Sequence, residues 1–112
     1  MTTEETQRVV GHHIQSMARG NMEAVLSDYT ENSVVYWAEG ASRGLAEIEK
    51  FAQTFLDSLP EGFWKNARTL RAEFDGEIGY TLWESTGVPI GTDTYIVRDG
   101  KIAVQTFAMY VG

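Results

Sequence analysis

The chain has 112 residues, of which 43% are hydrophobic, and a formal net charge of −7. One domain spanning residues 1–112 is expected, because a chain of this size buries enough apolar surface to fold without a disulfide or a structural metal. There is no Cys, which excludes disulfides, thiolate catalysis and Cys-based metal sites. The negative charge and the scattered Lys and Arg residues argue against nucleic acid or an anionic membrane surface as a partner.

The N-terminal residues, MTTEETQRVV, lack the basic and apolar regions of a secretory signal. No apolar run in the sequence approaches the roughly 18 residues that a membrane-spanning helix needs. The sequence therefore predicts a cytoplasmic location and no membrane partner.

Three helices are predicted from apolar residues spaced three and four positions apart. The first covers Thr3–Arg19 and ends at Gly20, and its apolar face includes His13 but not His12. A short second helix begins near Met22, and the third covers Leu45–Leu59 after a loop at residues 40–44.

The predicted strands lie mostly in the second half of the chain. One short strand, Ser33–Trp37, separates the second and third helices, and alternating patterns begin after Phe63. Asp75-Gly76 and Asp99-Gly100 are typical of tight hairpins. Because the helices come first and the strands follow, the order favours an α+β domain with an antiparallel sheet that curves around the third helix.

Several short segments carry a family resemblance. These are Val9-Val10, Gly20-Asn21-Met22, Tyr29–Val35, Arg43-Gly44 and Asp99-Gly100-Lys101-Ile102. Their order and spacing over about residues 5–110 resemble the ketosteroid isomerase-like and SnoaL-like families of the nuclear transport factor two-like (NTF2-like) superfamily. The resemblance implies a single domain with a cone-shaped, curved antiparallel sheet packed on three N-terminal helices, enclosing an apolar pocket.

Ketosteroid isomerases use an Asp base together with a Tyr and a protonated Asp that stabilise an oxyanion. By position, the resemblance places the base at Trp37, the Tyr role at His13 and the protonated Asp at Asp93. Trp cannot accept a proton, so the usual base is absent and steroid isomerisation is not expected.

Three residues are candidates for catalysis. Asp93 lies on the same face of its predicted strand as Tyr95 and Val97. If that face is inward, burial of the carboxyl is costly unless it is paired. If the face is outward, Asp93 lies in solvent. His13 can take either proton role, or can simply be a buried neutral His bonded to the backbone. Glu39 follows Trp37 with the same parity and is either a helper at the pocket mouth or a solvated loop carboxylate.

Asp93 and His13 are predicted to face each other across the pocket. Pairing would ionise Asp93 and raise the pKa of His13, whereas burial would keep both groups neutral. We expect pairing, because an ion pair relieves both desolvation costs.

Aromatic residues supply the candidate ligand-binding surface, although core packing would explain each of them singly. The candidates are Tyr36, Trp37, Phe55, Trp64, Trp83, Tyr95 and Phe107. No glycine-rich phosphate loop and no inward His-x-x-x-His pair is present, so no cofactor and no metal are expected.

Two functions remain open. The first is a pocket protein for a small apolar organic molecule, with acid–base isomerase, cyclase or hydrolase activity. The alternative is a non-catalytic ligand-binding or dimerisation module. A homodimer through the outer face of the sheet is predicted, because Leu70, Ala72 and Trp83 leave neither face wholly polar.

Overall fold

The computed structural model describes residues 1–112. The helices are α1 (Thr3–Ala18), α2 (Met22–Leu26), α3 (Gly44–Ser58) and α4 (Phe63–Asn66). The strands are β1 (Val34–Trp37), β2 (Gly40–Arg43), β3 (Arg68–Asp75), β4 (Ile78–Ser85), β5 (Val88–Arg98) and β6 (Lys101–Tyr110).

The helices begin at capping residues. Thr2 accepts a hydrogen bond from the backbone N–H of Glu5, whose carboxylate accepts the backbone N–H of Thr2 in return. Asn21 caps α2 with one hydrogen bond, in which its side-chain oxygen accepts the backbone N–H of Ala24. These local signals are why the first two helices start where the sequence predicts.

The sheet has six strands in the order β2-β1-β6-β5-β4-β3. Neighbouring strands are antiparallel, except that β1 pairs with β6 in parallel. Irregularities in the β3–β4, β4–β5 and β5–β6 ladders bend the sheet. The concave face packs on the helices around a core that includes Val35, Ile48, Phe51 and Val97.

The curved α+β sheet on N-terminal helices confirms the predicted fold class, with three local differences. Residues 40–43 form strand β2 rather than a loop, and Phe63–Asn66 form a helical turn rather than a strand start. The prediction of a wholly antiparallel sheet was wrong at β1, because β1 pairs in parallel with β6, a strand from the other end of the chain.

The convex face of the sheet exposes Ile78, Ile90 and Tyr110. Trp83, one of the residues behind the predicted homodimer, lies on the concave face instead. The homodimer stays a prediction. No helix in the structure is long and apolar enough to span a membrane.

Candidate functional site

A cavity of about 290 Å³ lies between α1, α3, α4 and the concave face of the sheet. We call it the main cavity. Its wall is largely aromatic, and these rings are called the aromatic wall: Phe51, Phe55, Phe63, Trp64, Trp83, Tyr95 and Phe107. Most neighbouring rings meet edge to face, for example Phe55 and Phe107 at 5.2 Å between centroids. Each ring therefore restricts the orientation of the next.

Asp93 is the only carboxylate that lines the main cavity. It lies on β5, where alternation turns Gly91, Asp93, Tyr95 and Val97 to the buried side. Trp83 Nε1 donates to Oδ2 at 3.0 Å, and Gln105 Nε2 donates to Oδ1 at 2.9 Å. Burial raises the pKa of the Asp93 carboxyl to about 7, although hydrogen bonds from Gln105, Trp83 and Tyr95 partly offset the cost of charging it.

A hydrogen-bonded chain leads from Asp93 to α1. The hydroxyl of Tyr29 donates to Oε1 of Gln105, which leaves the Gln105 amide N–H to face Asp93. His13 Nδ1 lies 3.5 Å from the same hydroxyl. Burial raises the pKa of Tyr29 and Tyr95 well above the ordinary value, so both are neutral donors.

His13 and Asp93 both line the main cavity, but the predicted ion pair between them is wrong. His13 is held between Tyr29 and Tyr95, with ring centroids at 5.8 and 5.5 Å. Burial, aided by the neighbouring charge of His12, lowers the pKa of His13 to about 4. Desolvation therefore outweighs pairing, and His13 is neutral at pH 7.

The remaining candidates divide between the cavity and the surface. Phe55, Trp64, Trp83, Tyr95 and Phe107 line the main cavity. Tyr36 does not, because it faces solvent beside the Arg43 guanidinium, 5.9 Å from its ring centroid. Glu39 is exposed in the turn between β1 and β2, so it does not reach Asp93.

Trp37 lies at a second cavity of about 240 Å³, beside the first. Its indole N–H donates to the Ser42 hydroxyl at 3.0 Å. Phe55 and Phe107 border both cavities and form the partition between them. The sequence predicted one cavity, and the structure places these two side by side.

The sequence prediction missed Tyr29 and Gln105 as parts of the site. Met22, Val25, Leu26 and Tyr29 have helical spacing, which assigns Tyr29 to an apolar stripe of the second helix. Alternation along the last strand does not say which face is inward. No local sequence signal identifies Gln105, because its partners Tyr29 and Asp93 lie 76 and 12 positions away along the chain.

At its exposed rim, the main cavity is lined by Arg68. Arg68 pairs with Glu84 at 2.6 Å, and the Arg68 side chain is 72% exposed. The structure contains no group of three or more His, Cys, Asp or Glu side chains arranged to hold a metal ion.

No protein-family model and no curated protein matches the chain in sequence. Solved structures do match. An NTF2-like protein of unknown function from Burkholderia xenovorans superposes with a TM-score of 0.78 at 17% identity, over 100% of this chain and 88% of that one.

Two further structures have suggested activities. A candidate ketosteroid isomerase from Kribbella flavida has a TM-score of 0.74 at 16% identity, over 98% of this chain and 81% of that one. A candidate polyketide cyclase from Sinorhizobium meliloti has a TM-score of 0.73 at 16% identity, over 89% and 93%. The chain therefore has the NTF2-like fold, in agreement with the resemblance seen in its sequence.

Proposed function

We propose that the protein binds a small, mostly apolar organic molecule in the main cavity and that Asp93 exchanges a proton with it. The observation that carries this proposal is the placement of Asp93, a buried carboxyl open to an aromatic cavity and held by two N–H donors. A group with a pKa of about 7 is present in both protonation states at neutral pH, which suits general acid–base catalysis.

His13 takes a different role from Asp93. With a pKa near 4 it is a neutral hydrogen-bonding group at pH 7 rather than an acid. A site with one titrating group can remove a proton and return it, which isomerisation or cyclisation through an enol requires. Hydrolysis fits less well, because it commonly uses one group to activate water and another to protonate the leaving group. The NTF2-like structures described as candidate ketosteroid isomerase and polyketide cyclase are consistent with this class.

Deuterium exchange tests the proposal without a known substrate. Small cyclic ketones are incubated with the protein in D₂O, and label at the carbon beside the carbonyl is followed by NMR. We expect faster labelling than in buffer, and an Asp93→Asn variant that still binds the ketone but loses about 10²–10⁴-fold in the protein-dependent rate. Binding without any protein-dependent exchange across the panel would contradict the catalytic part.

A second candidate function, ligand binding without turnover, is favoured by one observation. Asp93 is the only carboxylate in the cavity and its oxygens already accept hydrogen bonds. This arrangement meets the requirements of a satisfied structural carboxylate as well. The exchange experiment separates the two functions, since a pure binding protein would hold the ketone and leave its protons in place.

A further inference from the structure

The interior of the main cavity carries an acidic group without a positive partner. Asp93 takes part in no ion pair, and its hydrogen-bonding partners are an indole, an amide and a phenol. Arg68, the one cationic side chain in the lining, lies at the exposed rim and already pairs with Glu84. An ionised Asp93 therefore has no counter-charge within the protein.

The rest of the lining offers a favourable surface to a cation. The faces of Phe, Tyr and Trp rings carry negative electrostatic potential and attract ammonium groups, more strongly where water is excluded. Seven rings line the main cavity, and Trp83 stands directly beside Asp93 through its Nε1–H bond. The aromatic wall and the Asp93 carboxyl thus line the same cavity, within reach of one small ligand.

We propose that the ligand of the main cavity is an organic cation, an amine or ammonium group on a small apolar body. The ammonium group lies against Asp93, and the apolar body lies along the aromatic wall. This inference rests on the proposed function, since it names the class of molecule that the cavity takes.

A bound cation changes the state of Asp93. An adjacent positive charge favours the carboxylate over the carboxylic acid, so binding drives the proton off Asp93 and leaves it in the base form. Affinity is expected to depend on pH, because cation binding and protonation compete for the same carboxylate.

Other titratable groups near Asp93 do not share this pH range. His13 faces the cavity from α1 and charges only near pH 4, and Tyr29 and Tyr95 stay neutral far above pH 7. At the rim, Arg68 is paired with Glu84. A change in cation affinity near pH 7 therefore reports on Asp93.

Three probes of similar size and different charge test the inference: benzylamine, benzyl alcohol and benzoate. Their binding is measured by calorimetry and by amide NMR shifts at moderate salt from about pH 5.5 to 8.5, where the amine remains protonated. At pH 8 we expect benzylammonium to bind at least about tenfold more tightly than benzyl alcohol, and benzoate to bind least. Below pH 7 the affinity for benzylammonium should fall toward tenfold per pH unit, while that for benzyl alcohol changes little.

Variants locate the effect. Asp93→Asn should remove the preference for the cation and keep the affinity for benzyl alcohol. Glu49→Gln removes an exposed negative charge from α3 and should keep the preference, which excludes a general effect of net charge. If Asp93→Asn does not fold, the pH dependence of the wild type still decides the matter.

Each outcome has one meaning. Equal affinity for benzylammonium and benzyl alcohol, or cation binding that ignores pH, overturns the inference and leaves the proposed ligand cavity intact. If none of the three probes binds, and the amide NMR signals of the cavity residues do not shift, the proposed function itself is contradicted.

Discussion

Trp83 and Gly91 lie opposite each other in the β4–β5 ladder, and the indole of Trp83 occupies the space where a side chain at position 91 would project. A Cβ placed on Gly91 would lie only 2.3 Å from Cζ2 of that indole. Glycine at this position lets Trp83 cross β5 closely enough for Nε1 to reach Asp93 at 3.0 Å. The absence of a side chain at Gly91 thus allows the Trp83 indole N–H to donate to the carboxyl of Asp93.

Gly91→Ala should therefore push the indole away from β5 and break the Trp83–Asp93 hydrogen bond. Loss of a donor to the carboxylate raises the pKa of Asp93 further, and the crowding should cost about 1–3 kcal/mol of unfolding free energy. Carboxyl ¹³C NMR titration of Asp93 and urea denaturation measure the two effects.

Gly79→Ala is the matched control for Gly91→Ala. Its Cβ would meet the Phe74 ring at 2.9 Å and Val10 at 3.4 Å, and neither of these side chains is a hydrogen-bonding partner of Asp93. It should destabilise the fold and leave the Asp93 titration unchanged. An unchanged titration in Gly91→Ala as well would show that Trp83 does not tune Asp93.

Asp93 and His13 should make opposing contributions to the pH dependence of stability. The pKa of Asp93 is raised from 3.8 to about 7. The contribution of Asp93 to the unfolding free energy is therefore fully present at low pH and is lost as pH rises through 7. The pKa of His13 is lowered from 6.5 to about 4, so stability is lost as pH falls from 6.5 toward 4. Between pH 4 and 6.5 the two effects partly cancel in the wild type.

Single substitutions should reveal each effect by urea denaturation across this range. Relative to wild type, Asp93→Asn should gain unfolding free energy between pH 4 and 8, by on the order of 4 kcal/mol. His13→Gln should gain on the order of 3 kcal/mol as pH falls from 7 to 4. Parallel pH profiles for all three proteins would mean that neither group is perturbed by burial.

Tyr29→Phe should destabilise the protein without changing its shape. The substitution removes the hydroxyl that donates to Gln105 and leaves a buried amide oxygen without a partner, which costs about 1–3 kcal/mol. Tyr36→Phe is the control. Because Tyr36 is exposed, loss of its hydroxyl should change the unfolding free energy by no more than about 0.5 kcal/mol. Equal effects of the two substitutions in denaturation curves would exclude Tyr29 from the buried network.

A Δ5-3-ketosteroid should not be isomerised at an appreciable rate. Trp37 occupies the position that the resemblance assigns to the base, borders the second cavity, and donates its indole N–H to Ser42. Ultraviolet absorbance of the conjugated ketone measures the product directly. Appreciable turnover would contradict this expectation, and its loss in Asp93→Asn would show that the base proposed for small ketones also serves a steroid.

The local parts of this fold were predictable and the long-range parts were not. Capping residues, amphipathic stripes and the two Asp-Gly hairpins act between near neighbours, so the main helices and the last four strands could be located. The parallel pairing of β1 with β6 joins residues about 70 positions apart, such as Val34 and Val104, and no local pattern encodes it.

The same distinction applies to the site. The family resemblance predicted the inward direction of Asp93, whereas strand parity alone allowed either face. The regular alternation of β5 from Gly91 to Val97 places it on the buried side. Tyr36 was misplaced, and Glu39 is the exposed carboxylate that was one of its two alternatives, because the tight β1–β2 hairpin lies at an edge of the sheet and turns both to solvent. Gln105 was missed because the ladder between β5 and β6 shifts register near Ile96, which hides the parity of β6.

The position of β6 between β1 and β5 has a consequence for how the chain folds. β6 is synthesised after the other nine elements, yet it is the strand that joins the β1–β2 hairpin to the β3–β5 meander. Before Lys101 leaves the ribosome, these two pieces have unpaired edges and the half-formed cavity exposes its aromatic rings. Nascent chains that stall before residue 101 should therefore be the species most in need of a chaperone.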